Sequence, residues 1–146
     1  MKDYTPDLIR NVALIGHGAS GKTSLASAIL FDAGATGRLT KVDKGNTVTD
    51  FEPEEVDRKI SISSALCFIE WNGHKINILD TPGYSNFLWD TRAGLRAVDA
   101  AALLVCGVAG VEVGTEKVWE MVEELGLPRL LVVSKLDRED ASCDRA

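Results

Sequence analysis

The sequence predicts an α/β fold in which a mostly parallel sheet is flanked by helices. Short apolar runs alternate with segments whose apolar residues recur at helical spacing, the pattern of parallel strands joined by helices. A Gly-rich turn joins the first strand-like run to the first helical segment. The length of 146 residues, with 45% hydrophobic and 26% charged residues, suits one globular unit with its own core.

The first part of the chain has a clear strand and helix, followed by a long stretch without a period. Residues 12–15 form an apolar run that ends at Gly16, and a helix is predicted over residues 22–33 with Gly34 as its stop. Residues 34–60 show no periodicity. Such a long connection inside a compact domain is most often functional or mobile.

The middle of the chain is predicted to form a β-hairpin followed by a helix. Residues 61–70 and 75–79 carry apolar residues on one parity, as half-buried strands do. Asn72-Gly73 between them predicts a tight turn, because both residues tolerate positive φ. Helical spacing returns over residues 88–98.

The last part of the chain adds two strands around one more helix. Residues 100–108 form a buried-looking apolar run, and residues 118–125 have helical spacing, with Thr115 as the predicted N-cap and Gly126 as the stop. Residues 129–133 are the last predicted strand.

Composition and charge exclude several classes of protein. The chain has 16 basic and 22 acidic residues, a net charge of −6, which argues against a broad basic surface for nucleic acid and gives no sign of sequence-specific binding to it. The longest uncharged apolar run, residues 100–111, is shorter than the roughly 20 residues that span a bilayer. With three widely spaced cysteines and no signal-peptide pattern, the chain is predicted to be cytoplasmic, with no membrane partner.

The strongest motif for chemistry follows the first predicted strand. It matches Gly-x4-Gly-Lys-[Ser/Thr] in full and reads Gly16-His17-Gly18-Ala19-Ser20-Gly21-Lys22-Thr23. Glycines are needed because backbone N–H groups must turn inward around phosphate oxygens, beside the positive end of a helix. Lys22 is expected to reach the β- and γ-phosphates, and the Thr23 hydroxyl to ligate Mg²⁺. The structural alternative is a Gly-rich turn that only caps a helix.

Two further motifs follow later strands. One reads Asp80-Thr81-Pro82-Gly83, which on its own is also a good turn. Asp80 can hold Mg²⁺ directly or through water, and the Gly83 N–H can sense a γ-phosphate. The other reads Ser134-Lys135-Leu136-Asp137. Asp137 can accept from N1–H and the 2-amino group of guanine, donors that adenine lacks, while the Lys135 stem can lie along the purine ring.

In this order the three motifs resemble the G domain of translational GTPases, and the intervening sequence narrows the resemblance to elongation factor G. The supporting stretches are Ile9-Arg10-Asn11-Val12, Gly110-Val111-Glu112, Thr115-Glu116-Lys117-Val118-Trp119, Pro128-Arg129 and Asp137-Arg138. The resemblance covers about residues 9–140. It implies a P-loop NTPase fold that binds GTP and GDP with Mg²⁺, hydrolyses GTP, and acts with the ribosome in translocation.

The chain departs from the family pattern at several site positions. The family's first switch usually reads Arg-Gly-Ile-Thr-Ile, where this chain has Arg58-Lys59-Ile60-Ser61-Ile62. The resemblance implies that Ser61 completes the Mg²⁺ shell and that residues 35–62, here named the first switch segment, become ordered around GTP. Ala19 stands where the family commonly has Asp, and Ser134 replaces an Asn, which removes an amide that braces the loop.

Tyr84 is the departure with the largest expected effect on catalysis. Elongation factors place a histidine after the Gly83 position, and that histidine orients the attacking water. A phenol with a pKa near 10 is a poor substitute, and losing such a group typically costs about 10²- to 10⁴-fold in rate. Tyr84, Gly83 and Lys22 are therefore the predicted catalytic residues, with hydrolysis slow or ribosome-dependent. The combination resembles divergent, elongation-factor-G-like paralogues.

Several functional alternatives remain open at this stage. The chain can be a GTP-sensing, ribosome-binding module with little hydrolysis, or another ribosomal GTPase of the release-factor or tetracycline-protection type. An ATP-using nucleotide kinase is a further alternative, against which Asp137 argues. The resemblance also implies that residues 1–146 are the front part of a G domain, incomplete at the C-terminus and without the downstream domains. Weak stability and poor guanine affinity are expected of such a piece.

Overall fold

The computed structural model describes residues 2–146, with Arg145 described by its backbone alone. Its strands and α-helices are β1 Ile9–Gly16, α1 Lys22–Asp32, α2 Pro53–Arg58, β2 Ala65–Trp71, β3 His74–Asp80, α3 Leu88–Leu95, β4 Ala100–Cys106, α4 Val113–Glu124 and β5 Arg129–Ser134. Within the described residues, no helix is long and apolar enough to cross a membrane. The three cysteines are free thiols.

The sheet is mostly parallel, as predicted. Its strand order is β2-β3-β1-β4-β5, and every neighbouring pair except β2–β3 is parallel. The exception is the predicted hairpin, in which Asn72 and Gly73 have φ of 48° and 78°. Because the carboxyl ends of parallel strands meet at one edge, the three motifs after β1, β3 and β5 are brought to the same side of the domain.

Apolar side chains cover both faces of the sheet. On one face, Leu95 of α3 and Val118 of α4 belong to the same buried cluster as Ile15 of β1. On the other face, Leu30 of α1 packs in a second cluster with Leu14 of β1. Adjacent residues of β1 therefore point into different cores, as the two-residue period of a strand requires. This packing confirms the predicted α/β class and holds the turn after β1 in place.

Several local predictions are wrong. The strand predicted over residues 61–70 begins only at Ala65. Residues 34–60 contain a short helix, α2, whose six residues are too few to show a helical period. Its N-terminus is formed by Glu52 and Glu55, whose side chains cap each other's backbone N–H groups. Thr115 is not the N-cap of α4, because the helix begins earlier, after Glu112, and the Thr115 hydroxyl accepts from the Glu112 N–H at 3.3 Å. The predicted helix over residues 88–98 is also shorter, since α3 ends at Leu95.

Candidate nucleotide-binding site

The Gly-rich turn connects the end of β1 to the start of α1. Gly16 and Gly21 have φ of 145° and 101°, which side-chain-bearing residues rarely adopt. A Cβ at Gly16 would also collide with the carbonyl oxygen of Leu104 on the neighbouring strand. Ala19 has a left-handed φ of 59°, which costs about 1 kcal/mol for a residue other than glycine. The turn is therefore a tight loop at a helix N-terminus, the geometry that cradles phosphate oxygens.

Lys22 is buried at the centre of this loop. Its ammonium donates to the carbonyl oxygens of Gly16 and His17 at 3.1 and 2.9 Å. Burial lowers the pKa of Lys22 to about 8, and the nearby Asp80 carboxylate opposes that shift. The amine is thus held by backbone dipoles within the loop, on the wall of the cavity described below.

Hydroxyl and carboxylate groups from three segments meet beside the loop. The Thr23 and Ser61 hydroxyl oxygens lie 3.0 Å apart. Ser61 donates to Asp50 at 2.7 Å, and Thr49 donates to Asp80 at 2.8 Å. The first switch segment is therefore attached to the start of α1 through Ser61 and to the end of β3 through Thr49.

The residues at this cluster fit a divalent cation that also binds phosphate. Asp80 is 1% exposed, and its Oδ1 atom has no hydrogen-bond partner among the described residues. Burial raises the pKa of Asp80 to about 6, because the hydrogen bonds to its carboxylate and the nearby Lys22 charge only partly offset the loss of solvation. Within residues 2–146, no group of three or more His, Cys, Asp or Glu side chains is placed to hold a metal. Mg²⁺ suits such a site, because it takes few protein ligands and completes its shell with water and phosphate.

Gly83 and Tyr84 lie directly against the Gly-rich turn of residues 16–23, here named the phosphate loop. A Cβ on Gly83 would approach Gly16 O at 2.7 Å and Gly18 N at 2.8 Å, so only glycine permits this contact. The Tyr84 ring packs on Gly18, where an added Cβ would lie 2.8 Å from the ring atom Cε1. Gly18 thus leaves the space that the Tyr84 ring occupies.

The segment after β5 reaches the same loop through Ser134. The Ser134 hydroxyl donates to the carbonyl oxygen of Ser20 at 2.6 Å and lies 3.2 Å from that of Val105. The short side chain that replaces the family's Asn therefore still braces the phosphate loop. Lys135 follows with a left-handed φ of 57°, and Asp137 is exposed.

One cavity of about 320 Å³ lies over the loop, a size in the usual range for small-molecule sites. The predicted site residues that line it are Gly18, Ala19, Gly21, Lys22, Thr23, Ser61, Gly83, Tyr84 and Lys135. Predicted residues outside its lining are Gly16, His17, Ser20, Asp80, Ser134 and Asp137. Asp137 instead lines an adjoining cavity of about 760 Å³, and Lys135 belongs to both.

His17 and Ser20 belong to the loop but do not line the cavity. His17 Nδ1 accepts from the Gly114 N–H at 3.2 Å, and Nε2 lies 3.4 Å from Glu112 Oε1, so the ring faces the start of α4. The carbonyl oxygen of His17 accepts a hydrogen bond from the Lys22 ammonium. The Ser20 hydroxyl is buried and has no hydrogen-bond partner among the described residues.

Sequence reasoning missed several polar and charged residues that lie in or beside the cavity wall. Thr49 and Asp50 bond to Asp80 and Ser61, as given above, while Lys59 and Arg138 line the cavity wall. Thr49 and Asp50 fall in the aperiodic stretch, which carries no local signal for either side chain.

Sequence reasoning also missed Glu55, which binds the backbone N–H groups that follow Ser61. It is 1% exposed, and its Oε1 accepts from the N–H groups of Ile62 and Ser63 at 2.8 and 3.1 Å. Its Oε2 accepts from the N–H of Glu52 at 3.2 Å. One buried carboxylate thus satisfies three backbone donors.

We expect Glu55→Gln to lower the free energy of unfolding by about 2–3 kcal/mol, because an amide nitrogen cannot accept and leaves buried donors unpaired. Urea unfolding measures the change. Glu54→Gln is the matched control, since its exposed ion pair with Arg58 at 3.4 Å contributes little. Equal unfolding midpoints for the two variants would contradict the role assigned to Glu55.

The parallel sheet, the phosphate loop, the buried Asp80 and the segment at Asp137 together define a P-loop nucleotide-binding domain. A family model described as the elongation factor Tu GTP binding domain matches residues 7–146. The chain belongs to this family and is a GTP-binding domain of the translational GTPases, as its resemblance to elongation factor G indicated.

Individual proteins support this assignment. The chain is 44% identical over 145 residues to a protein of Debaryomyces hansenii named mitochondrial ribosome-releasing factor 2, and the match covers 99% of this chain and 17% of that protein. The protein of the same name from Drosophila ananassae is 43% identical over 137 residues, 94% of this chain and 18% of its own length. The chain therefore spans about a sixth of these relatives.

Solved structures agree with the fold. A crystal structure of a Thermus thermophilus protein has a TM-score of 0.87 and 45% identity, and the match covers 89% of this chain and 20% of that one. A bacterial selenocysteine-specific elongation factor has a TM-score of 0.72 and 25% identity, over 88% of this chain and 20% of its own. The predicted fold class is thereby confirmed.

Proposed function

We propose that the chain is the GTP-hydrolysing switch of an elongation factor G-like protein that acts on the ribosome in translocation. The observation that carries the proposal is the 3.0 Å contact between Thr23 and Ser61, which brings the first switch segment to the phosphate loop. A segment held there by hydroxyl groups can respond to a nucleotide bound at the same place. The names of the curated relatives favour ribosome release as the second candidate step.

The proposed roles follow from the positions of the side chains. The loop backbone from Gly16 to Thr23 and the Lys22 ammonium bind phosphate oxygens, with GTP and GDP as ligands. Thr23, Ser61 and Asp80 would hold Mg²⁺, which when bound neutralises charge that develops on the phosphates. Gly83 and Tyr84 line the same cavity, and we assign the terminal phosphate and its attacking water to the space beside them. We assign to the Gly83 N–H the sensing of that phosphate and to the Tyr84 hydroxyl the positioning of water.

Base recognition is assigned to the segment after β5. Asp137 would accept from the two guanine donors, Lys135 would lie along the purine ring, and Ser134 would keep this segment against the phosphate loop. The two cavities that share Lys135 support this division, with phosphates in one and the base in the other.

We propose that the protein is located in the cytoplasm, where ribosomes are present. The curated relatives given above are by name mitochondrial, which makes the mitochondrial interior the second candidate compartment. Imaging of the full-length protein in its own cells distinguishes the two.

Phosphate release by the full-length protein, with and without ribosomes, tests the proposed function. Turnover that is slow alone and stimulated by ribosomes is expected. Tight GTP binding without turnover in either condition would instead support a GTP-sensing module. Equal affinity for GTP and ATP would overturn the assignment of residues 134–137 and favour an ATP-using enzyme.

A further inference from the structure

Lys59 adds a positive charge to the wall of the cavity that lies over the phosphate loop. It lines the same cavity as Lys22 and Ser61. In the part of the chain that the structure describes, no carboxylate or other side chain pairs with the Lys59 ammonium. Its charge is therefore available to an anion in the cavity.

The backbone at Lys59 is strained in a way that argues against a passive role. The residue follows α2 as its C-cap with φ 56° and ψ 40°, and its N–H donates to Glu55 O. This left-handed conformation favours glycine and is unfavourable for a side chain such as lysine. Strain of this kind clusters at ligand-binding and switch sites. A cation also suits a helix C-terminus, but Arg58 in the same turn already provides one.

The charge balance of the cavity points to an anionic ligand. Although the chain has a net charge of −6, this wall carries four cations and two carboxylates, namely Lys22, Lys59, Lys135, Arg138, Asp43 and Asp50. Lys135 also borders the adjoining cavity that Asp137 lines. Lys59 lies on a different segment, two residues before Ser61, so their Cα atoms are within about 7 Å of each other. Since Ser61 contacts Thr23, Lys59 belongs to the phosphate end of the cavity.

We propose that Lys59 binds the γ-phosphate of GTP as a second phosphate-binding cation, supplied by the first switch segment. This inference rests on the proposed GTP site. The γ-phosphate is the group that separates GTP from GDP, and the Gly83–Tyr84 wall of the same cavity is its proposed neighbour. A lysine carried by the switch segment therefore links the order of that segment to the presence of the triphosphate.

The test compares GTP and GDP affinities of the full-length protein and its variants by calorimetry. Lys59→Gly should weaken GTP binding about tenfold, the size of a partly exposed charge-assisted hydrogen bond, and leave GDP binding within about twofold. The same variant should unfold at a higher temperature, because glycine relieves the left-handed strain. Lys59→Asn, which also tolerates this conformation, should lose the same preference for GTP, and Lys59→Arg should keep it.

Arg58→Gln is the matched control, because it removes one positive charge from the same turn but not from the cavity wall. It should leave the ratio of GTP to GDP affinity unchanged. An unchanged ratio in Lys59→Gly and Lys59→Asn, or an equal loss of GTP and GDP affinity, would overturn the role of Lys59 and leave the GTP site intact. A wild-type protein that binds neither nucleotide would instead overturn the proposed function itself, and this inference with it.

Discussion

Asp137→Asn is expected to remove most of the preference of this protein for GTP over ATP, a change of about 10²-fold in relative affinity. The carboxylate can accept from both N1–H and the 2-amino group of guanine. An amide offers one acceptor and turns a donor toward the second guanine donor. Asp137 is exposed and lines the adjoining cavity, so its replacement is expected to change nucleotide binding and to leave folding unaffected.

Competition against a fluorescent guanine nucleotide measures this preference, with GTP, inosine triphosphate and ATP as competitors. Inosine keeps N1–H and lacks the 2-amino group, so wild-type affinity should fall in that order. In Asp137→Asn the three affinities should converge. Glu139→Gln is the control, because Glu139 lines the same cavity and its loss removes the same charge. A graded order that survives in Asp137→Asn would show that another group reads the base.

The phosphate loop could be predicted from sequence because its geometry is local. Gly16 and Gly21 are required by their own φ values, and the motif fixes their spacing within eight residues. The flanking strand and helix could be predicted for the same reason, since each shows its own period. The hairpin at Asn72-Gly73 likewise depends on two adjacent residues.

The residues missed by sequence reasoning act through contacts between distant parts of the chain. Thr49 bonds to Asp80, 31 positions away, and Glu55 binds backbone N–H groups seven and eight positions later. No period or short motif records such a contact. Ser61 can be predicted only through resemblance to a family, because its contact is with Thr23, 38 positions away.

Ser134 shows how a substitution can be compensated at short range. The motif alone predicts a lost brace, since serine lacks the amide of asparagine. The structure places Ser134 within 2.6 Å of Ser20 O, so the shorter side chain is sufficient. Sequence reasoning could not predict this distance, because it depends on how β5 and β4 are positioned relative to the loop after β1.

Tyr84→His is expected to raise ribosome-stimulated GTP hydrolysis by about 10- to 10²-fold, because an imidazole near neutrality accepts a proton from water far better than a phenol. The geometry permits the change. Tyr84 is 38% exposed on the cavity wall, and no described residue hydrogen-bonds to its hydroxyl. The histidine ring is smaller, so it also fits the space beside Gly18.

The variant Tyr84→Phe measures what the hydroxyl group contributes to the hydrolysis rate, because it keeps the ring on Gly18 and removes only the hydroxyl. If the hydroxyl positions water, this variant should hydrolyse GTP about tenfold more slowly than wild type, with unchanged GTP affinity. Single-turnover hydrolysis with saturating ribosomes measures all three proteins on the chemical step. A Phe variant as fast as wild type, together with a His variant that is no faster, would mean that Tyr84 serves only to pack the Gly83 segment against the phosphate loop. The rate of hydrolysis would then be set by groups other than Tyr84, since the ring contact with Gly18 is common to Tyr and Phe.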